Sequence, residues 1–496
     1  MDWTNNKYLT DDLLTIPKPE LGTILVTGAT GYVGGRLVPE LLHRGYRVRV
    51  MTRVPVEDFD EQWPGVETVV ADALAEEQLK AALQGVHTAY YLIHALLLGE
   101  KKFEAVDVQA AINFRKVAEA SGVQRIIYLG GLGDVNAPLS PHLRSRLQVA
   151  KELQKGKIKT TVLRAAIIIG SGSASYEIIK NLVKRSPVFF MPYWARTKCQ
   201  PISIRNLINT LIGCLETEET AGKSYDIGGT EILTYEEMIR ILSELQNKRK
   251  FFFHTSFSNI NLYAYVASLL TPVPAAIIRS LMASTVNEVI CKSKDKLPDT
   301  LYRPISYKEA LLRAMTREEQ DDVRSRWSDQ YPRAHELAIK LRELEKPPFY
   351  ISSYHLLSEK SEEALFASFS KIGGEDGWFY SNWMWRARGM VDRIIFGVGD
   401  ARGRRSRTSL RVNDVVGFWR VEGRRQNSHL LLRAEMKLPG MAWLEFSLHK
   451  IGEMNRLTVT AYFEPQGIPG KIYWYNFLPF HYFIFTNLIK QIDRRA

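Results

Sequence analysis

A glycine-rich segment between two strand-like runs constrains the fold of this chain more than any other feature. A short apolar run precedes the sequence TGATGYVGGR at 27–36, and apolar residues at helical spacing follow it. A second run, rich in β-branched residues, then occupies 46–51. Gly28, Gly31 and Gly34 suit a sharp turn, a close backbone approach and tight helix–strand packing. The segment therefore predicts a βαβ unit that binds a dinucleotide diphosphate at a helix N-terminus.

The residues around this loop favour NADP over NAD as the cofactor. After the second strand the chain reads Thr52-Arg53, with no carboxylate before Glu57. An acidic residue there would bind a ribose 2′-hydroxyl, whereas Arg53 offers a fork of donors to a 2′-phosphate. Asp72 is placed to accept a hydrogen bond from the adenine amino group. The predicted cofactor-binding residues are Thr27, Gly28, Thr30, Gly31, Tyr32, Val33, Gly34, Thr52, Arg53, Asp72, Ala73, Ile93, His94, Arg146 and Arg164.

The first half of the chain continues to alternate between strand-like and helical patterns. Further strand-like runs occupy 67–72, 88–94, 125–129 and 160–164, with helical segments between them. Such alternation is typical of an α/β fold with a doubly wound, parallel sheet.

Several of these segments resemble an NmrA-like, atypical or extended short-chain dehydrogenase/reductase. The resemblance rests on TGATGYVGG, the Asp72 position, IIYLGGLG and YDIGG, and it covers about residues 20–320 of a predicted first domain over 20–325. It implies a Rossmann domain whose NAD(P) cofactor lies over the C-terminal ends of the strands. It also implies a small substrate lobe built from about 170–205 and 225–320.

The catalytic positions depart from that family's pattern, in which a Ser and a Tyr-x-x-x-Lys stand beside the nicotinamide. His142 stands at the Tyr position, Arg146 at the Lys position and Gly130–Gly131 at the Ser position. His142 can supply a proton near neutral pH, and Arg146 can bind ribose hydroxyls but is a poor proton relay. His94, at the end of the fourth strand, is a second candidate acid or base, and Tyr176 a third. A structural role remains the alternative for each.

A charged segment that ends at Pro347 and Pro348 separates a second domain from the first. We expect a helical linker over 326–348, with Leu337 and Ile339 on its apolar face, and a second domain over 349–496. The composition changes there, because six of the ten tryptophans follow residue 377. Alternating runs predict antiparallel strands at 414–421, 428–436, 442–448 and 455–463, and 474–492 predicts a long helix after Pro479.

The second domain resembles an uncharacterised domain family in its sequence and a known fold in its order of elements. The strings GWFYSNWMWRARGMVDRIIFGVG, AEMKLPGMAWLEF and YWYNFLPFHYFIF resemble the uncharacterised DUF2867 domain. Strands followed by a C-terminal helix resemble the α+β helix-grip fold of START/Bet v 1-like (SRPBCC) proteins, which implies a cavity for a hydrophobic small-molecule ligand. Glu435, Arg433, Glu445 and His481 are candidate polar handles in it. The alternative is that the tryptophans form a core and the charges an exposed face.

The charge balance suggests acidic partners. The formal net charge is +12 and the isoelectric point about 9.3. A loop with Arg402, Arg404, Arg405, Arg407 and Arg411 suits phosphates or a peripheral contact with an anionic membrane, although a solvated loop is the alternative. No nucleic-acid motif accompanies these arginines, so nucleic acid is not an expected partner.

The remaining features are the cysteines and the signals for localisation in the cell. The three cysteines lie too far apart for a disulfide framework or a metal knuckle, so no metal site is predicted. No secretory signal is visible, which predicts a cytoplasmic protein, with membrane association as the alternative. The oligomeric state stays open.

Two functions fit these observations. The first is an NADP-dependent oxidoreductase that acts on an unidentified hydrophobic small molecule. The second is a non-catalytic NADP-binding sensor, scaffold or assembly factor, which the replaced Ser, Tyr and Lys positions favour. A sugar-nucleotide epimerase fits less well, because the resemblance ties that chemistry to the same missing tyrosine.

Overall fold

The structure is a computed structural model that describes residues 8–53, 63–94, 103–134, 138–320, 323–330, 340–344, 346–374, 377–379, 382–400, 402, 404–406 and 409–496. The chain divides into two compact units. One consists of Met1–Thr271 and Ala275–Gln330, and the other of Pro272–Pro274 and Tyr331–Ala496. Each unit has its own hydrophobic core.

The first unit contains thirteen strands and ten α-helices among its described residues. The strands are β1 (Thr23–Thr27), β2 (Arg47–Thr52), β3 (Glu67–Val70), β4 (Val86–Tyr91), β5 (Arg125–Gly131), β6 (Lys159–Ala165), β7 (Ile168–Ile169), β8 (Val188–Met191), β9 (Lys198–Cys199), β10 (Ile202–Ser203), β11 (Ser224–Ile227), β12 (Leu233–Thr234) and β13 (Phe251–His254). The helices are α1 (Gly34–His43), α2 (Glu76–Leu83), α3 (Phe103–Ala120), α4 (Pro141–Gln154), α5 (Ala174–Arg185), α6 (Ile204–Glu216), α7 (Tyr235–Leu245), α8 (Ile260–Leu270), α9 (Ala275–Ala283) and α10 (Tyr307–Glu319).

Seven strands form one parallel sheet in the order β11-β6-β5-β4-β1-β2-β3. Helices α1 and α6 pack on one face, and α2, α3 and α4 pack on the other. Because both faces are covered, β1 is a continuous apolar run whose five residues are all buried. The predicted doubly wound sheet is therefore confirmed. The strand order reverses between β1 and β4, and such a switch point is where ligands bind in open parallel sheets.

The smaller lobe of this unit is held together by three two-stranded pairings. Strand β7 pairs with β10 and β8 with β13, both in parallel, and β9 pairs with β12 in antiparallel. Trp194, Met238 and Tyr307 lie in its core. Residues 225–227, at the start of the second predicted segment of the lobe, belong instead to β11, which joins the edge of the main sheet beside β6.

The predicted linker also needs a correction at its start. The Ser325 hydroxyl donates a hydrogen bond to the carbonyl of Tyr32 at 2.7 Å, and the Trp327 amide donates to the carbonyl of Gly172 at 2.9 Å. A 3-10 turn at Trp327–Gln330 therefore belongs to the first unit. The predicted helical positions Leu337 and Ile339 lie outside the described residues.

The second unit is an antiparallel sheet with a long C-terminal helix. Its helices are α11 (Glu362–Phe369), α12 (Asn382–Ile394) and α13 (Gly467–Arg495). Its strands are β14 (Tyr350–Ser358), β15 (Val415–Val416), β16 (Trp419–Arg425), β17 (His429–Ala434), β18 (Gly440–Ile451) and β19 (Met454–Pro465). They form one sheet in the order β14-β19-β18-β17-β16-β15. The predicted antiparallel sheet is confirmed, and its likeness to a helix-grip fold stays a prediction.

Helix α13 begins at Gly467, well before the predicted start, and Pro479 lies inside it. Proline removes one helical hydrogen bond, but Pro479 is exposed, so water can satisfy the carbonyl that is left. The inward face of α13, including Phe485, Leu488 and Ile492, packs in the core of the unit. Neither α13 nor any other helix of the described residues is apolar enough over a sufficient length to cross a membrane.

Candidate functional site

The loop after β1 is shaped by two glycines that have no room for a side chain. Gly28 has a φ of 63°, and a Cβ atom there would lie 2.6 Å from the carbonyl oxygen of Leu92. A Cβ atom at Gly34 would lie 2.4 Å from the carbonyl oxygen of Gly28. The amide of Gly35 donates to the carbonyl of Gly31 at 2.8 Å, so the loop runs directly into α1. This is the cradle shape that the sequence predicts for a diphosphate, with a helix N-terminus at its base.

Other predicted residues of this loop have contacts of their own. The buried Thr27 hydroxyl donates to the carbonyl of Tyr90 at 2.9 Å and accepts from the Leu92 amide at 3.1 Å, which fixes the end of β1 to β4. The Tyr32 ring lies 4.9 Å from the Arg36 guanidinium. Thr30 and Val33 are half-buried. Contact of these side chains with a cofactor stays a prediction.

The end of β2 carries the residues that were predicted to select NADP. Arg53 is exposed and forms no ion pair with the described chain, whereas Thr52 is buried. The Asp72 carboxylate accepts a hydrogen bond from the Leu74 amide at 2.9 Å, which stabilises the turn before α2. The carbonyl of Ala73 accepts a weak hydrogen bond from the side chain of Asn113, and Ile93 is half-buried after β4. Glu57 lies outside the described residues.

Two histidines and a carboxylate form a hydrogen-bonded chain beside this loop. The Nδ1 atom of His94 lies 2.9 Å from Oδ2 of Asp107, and its Nε2 atom lies 3.1 Å from Nδ1 of His142. Ser145 donates to the same Oδ2 atom at 3.1 Å. His94 follows β4, which is the strand next to β1, so the chain of side chains stands at the switch point of the sheet. The structure therefore brings together the two histidines that the sequence singled out separately.

The hydrogen bonds of this chain determine which ring nitrogen of each histidine carries the proton. Burial lowers the pKa of His94, and burial followed by the neighbouring His94 and Arg146 lowers the pKa of His142 well below its usual range. Both rings are therefore neutral near pH 7. An ionised Asp107 only accepts, so His94 carries its proton on Nδ1 and receives one from Nδ1 of His142. The Nε2 atom of His142 makes no hydrogen bond to the described chain and is the basic atom of the group.

Arg146 and the two glycines at the end of β5 are the remaining predicted residues near the two histidines. The Arg146 guanidinium donates to the carbonyl of Leu129, and the Tyr128 hydroxyl donates to the carbonyl of Arg146 at 3.0 Å. Arginine has five N–H donors, so Arg146 retains capacity for a ribose hydroxyl. A Cβ atom at Gly131 would lie 3.0 Å from the Leu143 side chain. A larger residue at that position therefore requires the Leu143 side chain to move by a few tenths of an ångström.

Two further predicted residues have structural partners. Arg164 lies 2.7 Å from Asp226, an ion pair that joins β6 to β11, so its predicted contact with a cofactor stays a prediction. Tyr176, the third candidate acid or base, does not lie in the loop that the glycines and serines at 170–173 suggested. It lies fully buried in α5, where its hydroxyl donates to Glu318 at 3.3 Å.

Sequence reasoning missed Asp107 and Ser145. Asp107 is 3% exposed and belongs to the same face of α3 as the buried Ala110, Ala111 and Phe114. A carboxylate on an otherwise apolar helix face is a signal that the sequence offered, because an ionised carboxylate is rarely buried without a partner. Ser145 offered no comparable signal.

The candidate ligand groups of the second unit are packed in its interior. Glu435 accepts hydrogen bonds of 2.6 Å from both Arg402 and Arg420, whose charges hold its pKa down at about 2 despite burial. Arg433 lies 3.7 Å from the same carboxylate. These groups thus form an internal ion network, which corrects the expectation of a ligand handle or an exposed face. Glu445 is bound by His429 and Tyr462.

The arginine loop is only partly internal, because Arg402 and Arg404 are buried whereas Arg411 is exposed. Arg402 and Arg404 are 4% and 8% exposed, and Arg404 donates to the carbonyls of Ser370 and Ile372. Arg405 pairs with Asp414 at 2.9 Å, whose carboxylate also accepts from the Arg411 amide at 2.8 Å. Arg407 lies outside the described residues. Of the six tryptophans after residue 377, Trp383 is exposed and the other five are buried, with Trp378 and Trp385 stacked at 4.3 Å.

Comparison with known proteins agrees with this architecture. The sequence matches the NmrA-like family over residues 20–283, just over half of its length, and the chain belongs to that family. Residues 348–488 match a second family, described as a protein of unknown function (DUF2867).

Several curated proteins are similar to the first unit. A divinyl chlorophyllide a 8-vinyl-reductase of Zea mays is 27% identical over 223 residues, which are 42% of this chain and 55% of the relative. A UDP-glucose 4-epimerase of Vibrio cholerae is 25% identical over 45% of this chain and 75% of its own length. A 3-beta-hydroxysteroid dehydrogenase of Mycolicibacterium neoaurum is 32% identical over 120 residues, 22% of this chain and 32% of the relative. The chain thus spans about half of the length of the first of these relatives.

Solved structures include similar chains as well. The Citrobacter sp. triphenylmethane reductase complexed with NADP(H) is 22% identical, with a TM-score of 0.49, over 59% of this chain and 99% of that one. The UDP-glucose 4-epimerase of Thermotoga maritima is 15% identical, with a TM-score of 0.47, over 60% of this chain and 99% of that one.

Proposed function

We propose that the protein is an NADP(H)-dependent oxidoreductase of a hydrophobic small molecule, in which His142 replaces the usual tyrosine as the proton-transferring group. The observation that carries the proposal is the chain Asp107–His94–His142 at the switch point of the sheet, with hydrogen bonds of 2.9 and 3.1 Å. An isolated histidine on a helix is commonly structural. Two imidazoles in series with a buried carboxylate, next to a cradle for a diphosphate, are suited to general acid–base catalysis.

The residues present fit a dinucleotide. At Gly28 and Gly34 a Cβ atom would lie 2.6 and 2.4 Å from backbone oxygens, so only glycine leaves the loop open at the start of α1. The exposed Arg53 at the end of β2 would hold a 2′-phosphate, and Arg146 would hold the nicotinamide ribose. When bound, the cofactor supplies or accepts the hydride.

The chain's own residues manage the proton. At neutral pH the Nε2 atom of His142 is an unprotonated base, so it takes the proton of a substrate hydroxyl when the substrate is oxidised. In the reducing direction the Nε2 atom first takes a proton from solvent water and then donates it to the oxygen of the carbonyl whose carbon accepts the hydride. His94 and Asp107 hold His142 in one tautomer and stabilise the positive charge that it gains. Asp107 is therefore a positioning residue rather than a catalytic one.

The substrate class is inferred from the names of two relatives. The Zea mays and Mycolicibacterium neoaurum relatives are named for a chlorophyllide and a hydroxysteroid, and both compounds carry large apolar rings. We therefore propose aromatic, quinone or isoprenoid alcohols and carbonyls as the first compounds to test.

The deciding experiment measures NADPH oxidation and NADP⁺ reduction by the purified full chain with such a panel. His142→Gln should lower kcat by about 10²- to 10⁴-fold, the usual contribution of a general acid or base. His355→Gln, at an exposed position of β14, should leave kcat unchanged. Asp107→Asn should lower kcat less and shift the acidic limb of its pH profile to lower pH, because it removes the negative charge that stabilises a proton on the hydrogen-bonded pair of His94 and His142. Wild-type turnover in His142→Gln contradicts the assigned role.

The cofactor preference has its own test. Arg53→Ala should weaken NADPH binding about tenfold, the loss expected for one charge-assisted contact, and should leave NADH binding nearly unchanged. Binding is measured by titration of cofactor fluorescence, and NADH is the internal control. Equal losses for the two cofactors contradict the preference for NADP.

A second candidate function is a non-catalytic NADP-binding sensor, scaffold or assembly factor. Gly130–Gly131 favours it, since no side chain stands at the position of the family's serine. Tight cofactor binding without turnover of any compound in the panel would support this alternative. Absence of cofactor binding would exclude both proposals.

A further inference from the structure

A small cavity of the first unit, separate from the glycine cradle, is lined by five arginines. It has a volume of about 50 Å³, and its walls come from α1, α10, the start of α6, the loop after β7 and the segments around Tyr8 and Arg324. None of Gly28, Gly31 and Gly34 lines it. The arginines are Arg36, Arg205, Arg313, Arg317 and Arg324. Guanidinium groups repel one another, so their convergence on one space requires compensation.

Carboxylates of the described chain face three of these arginines. Asp12 bonds to Arg205, Glu309 lies 2.7 Å from Arg313, and Glu40 lies 3.2 Å from Arg324. The fully buried Glu40 also accepts from the amides of Leu9 and Thr10. These ion pairs fix the walls of the cavity in place.

Arg36 differs from them because its hydrogen-bond partners in the described chain are all neutral. It is 4% exposed, and its Nη2 atom donates to the carbonyl of Ser171 at 2.6 Å, to the Ser171 hydroxyl at 3.2 Å and to the carbonyl of Ser325 at 3.3 Å. Its Nε atom is buried and has no hydrogen-bond partner in the described chain. A buried guanidinium with an unused donor and no carboxylate is costly unless an anion accompanies it.

Two other features of the walls favour a negative charge in the cavity. The N-terminus of α6, a helix of 13 residues, contributes Ser203, Ile204 and Arg205 to the lining. Helix N-termini attract anions through their free N–H groups and dipole. Both Arg205 and Arg313 line the cavity, and burial followed by the neighbouring charge of Arg313 lowers the pKa of Arg205 to about 10.

We propose that this cavity is a binding site for a phosphate-sized oxyanion, either inorganic phosphate or the terminal phosphate of a small metabolite. A volume of about 50 Å³ holds three to five waters at ~10–15 Å³ each, which is room for one tetrahedral anion and too little for a dinucleotide. Guanidinium forks match the oxygens of a phosphate in pairs. The bound anion would connect α1 with α10, because both helices line the cavity. It would also connect them with Ser325, whose carbonyl accepts a hydrogen bond from Arg36.

The test is calorimetry and thermal unfolding of the full chain in inorganic phosphate, with sodium chloride at the same ionic strength as the reference. Phosphate should bind saturably and raise Tm in a concentration-dependent manner. Glycerol phosphate is the second ligand, because its binding tells whether a phosphate monoester enters as well as the free anion. No saturable binding of either ligand overturns the proposal.

Variants locate the bound anion. Arg36→Met and Arg313→Met should weaken phosphate binding about tenfold or more, the loss expected for one charge-assisted contact. Arg196→Met, at an exposed position outside the cavity, is the matched control and should bind phosphate as the wild type does. Arg313→Met keeps the test valid where the loss of the buried Arg36 impairs folding, because Arg313 is only half-buried.

A further variant distinguishes phosphate binding in this cavity from phosphate binding in the glycine cradle. Arg53→Ala should leave phosphate affinity unchanged if the anion lies among the five arginines. Loss of affinity in Arg53→Ala, or equal affinity in all cavity variants, overturns the proposal without affecting the proposed function of the cradle. If Arg53→Ala loses NADPH binding but keeps its affinity for phosphate, the result supports both the anion site in the cavity and the cofactor site in the cradle.

Discussion

Asp107 determines what His94 and His142 can do. The two histidines lie 48 positions apart, and each was identified from its place beside the sheet, one after β4 and one on the helix after β5. Their joint chemistry could not be predicted, because it depends on the packing of α3 against α4, which buries Asp107 between them. The sequence thus indicated the members of the site through local motifs. It did not indicate the carboxylate that connects them to the protein interior.

Gly28 allows a prediction that separates steric contact from backbone strain. Gly28→Ala should lower the free energy of unfolding by more than Gly85→Ala, because the two positions have φ values of 63° and 69° but differ in their surroundings. A Cβ atom at Gly28 meets the Leu92 carbonyl at 2.6 Å, whereas nothing lies within 4 Å of one at Gly85. Gly85→Ala should lose about 1–2 kcal/mol from the left-handed backbone alone. Urea unfolding of both variants measures the difference, and equal losses contradict the steric role of Gly28.

At the scale of elements, the sequence predicted those whose signal is local. The unit β1–α1–β2 was predicted correctly because its glycines, apolar runs and helical spacing are contiguous. Strand β11 was missed, since its four residues contain Asp226 and acquire their strand identity by pairing with β6. Strand β14 was missed as well, although it alternates between half-buried and exposed residues along most of its length. Its pairing partner β19 lies about a hundred positions further along the chain, beyond the reach of local patterns.

Helix α13 gives a pH prediction. Burial between Trp474 and Phe485, at ring distances of 5.0 and 5.4 Å, lowers the pKa of His481 to about 4. The unfolded chain titrates near 6.5, so it binds more protons than the folded chain as the pH falls from 6.5 toward 4, and stability is lost in that window. At pH 5 the loss is at most about 2 kcal/mol. His481→Phe should remove this dependence while keeping an aromatic ring in the same position.

The measurement compares Tm at pH 7.5 and pH 5 for the wild type, His481→Phe and His355→Phe. The last variant changes an exposed histidine of β14 and controls for the added apolar ring. His481→Phe should show the smallest decrease in Tm between the two values of pH. A decrease as large as that of the wild type would show that other groups carry the acid sensitivity of α13.

At the scale of the whole molecule, net charge proved a poor guide to the surface. A net charge of +12 suggested basic patches for acidic partners. Yet Arg402, Arg404 and Arg420 are all buried, and their guanidinium groups bind Glu435 or backbone carbonyls. Part of the basic composition is therefore structural. Composition cannot separate these uses, because a buried and an exposed arginine count equally in it.

The core of the second unit predicts that residues 340–496 fold without the first. Its hydrophobic cluster runs from Leu365 to Ile492 and contains no residue of the first unit. The fragment should unfold cooperatively and show the emission of buried tryptophans. Glu435→Gln should lower its free energy of unfolding by about 3–5 kcal/mol, because three arginines would lose their buried counter-charge. Glu453→Gln, at an exposed position, should have little effect. Gradual, non-cooperative unfolding of the fragment would mean that this sheet depends on the first unit for its stability.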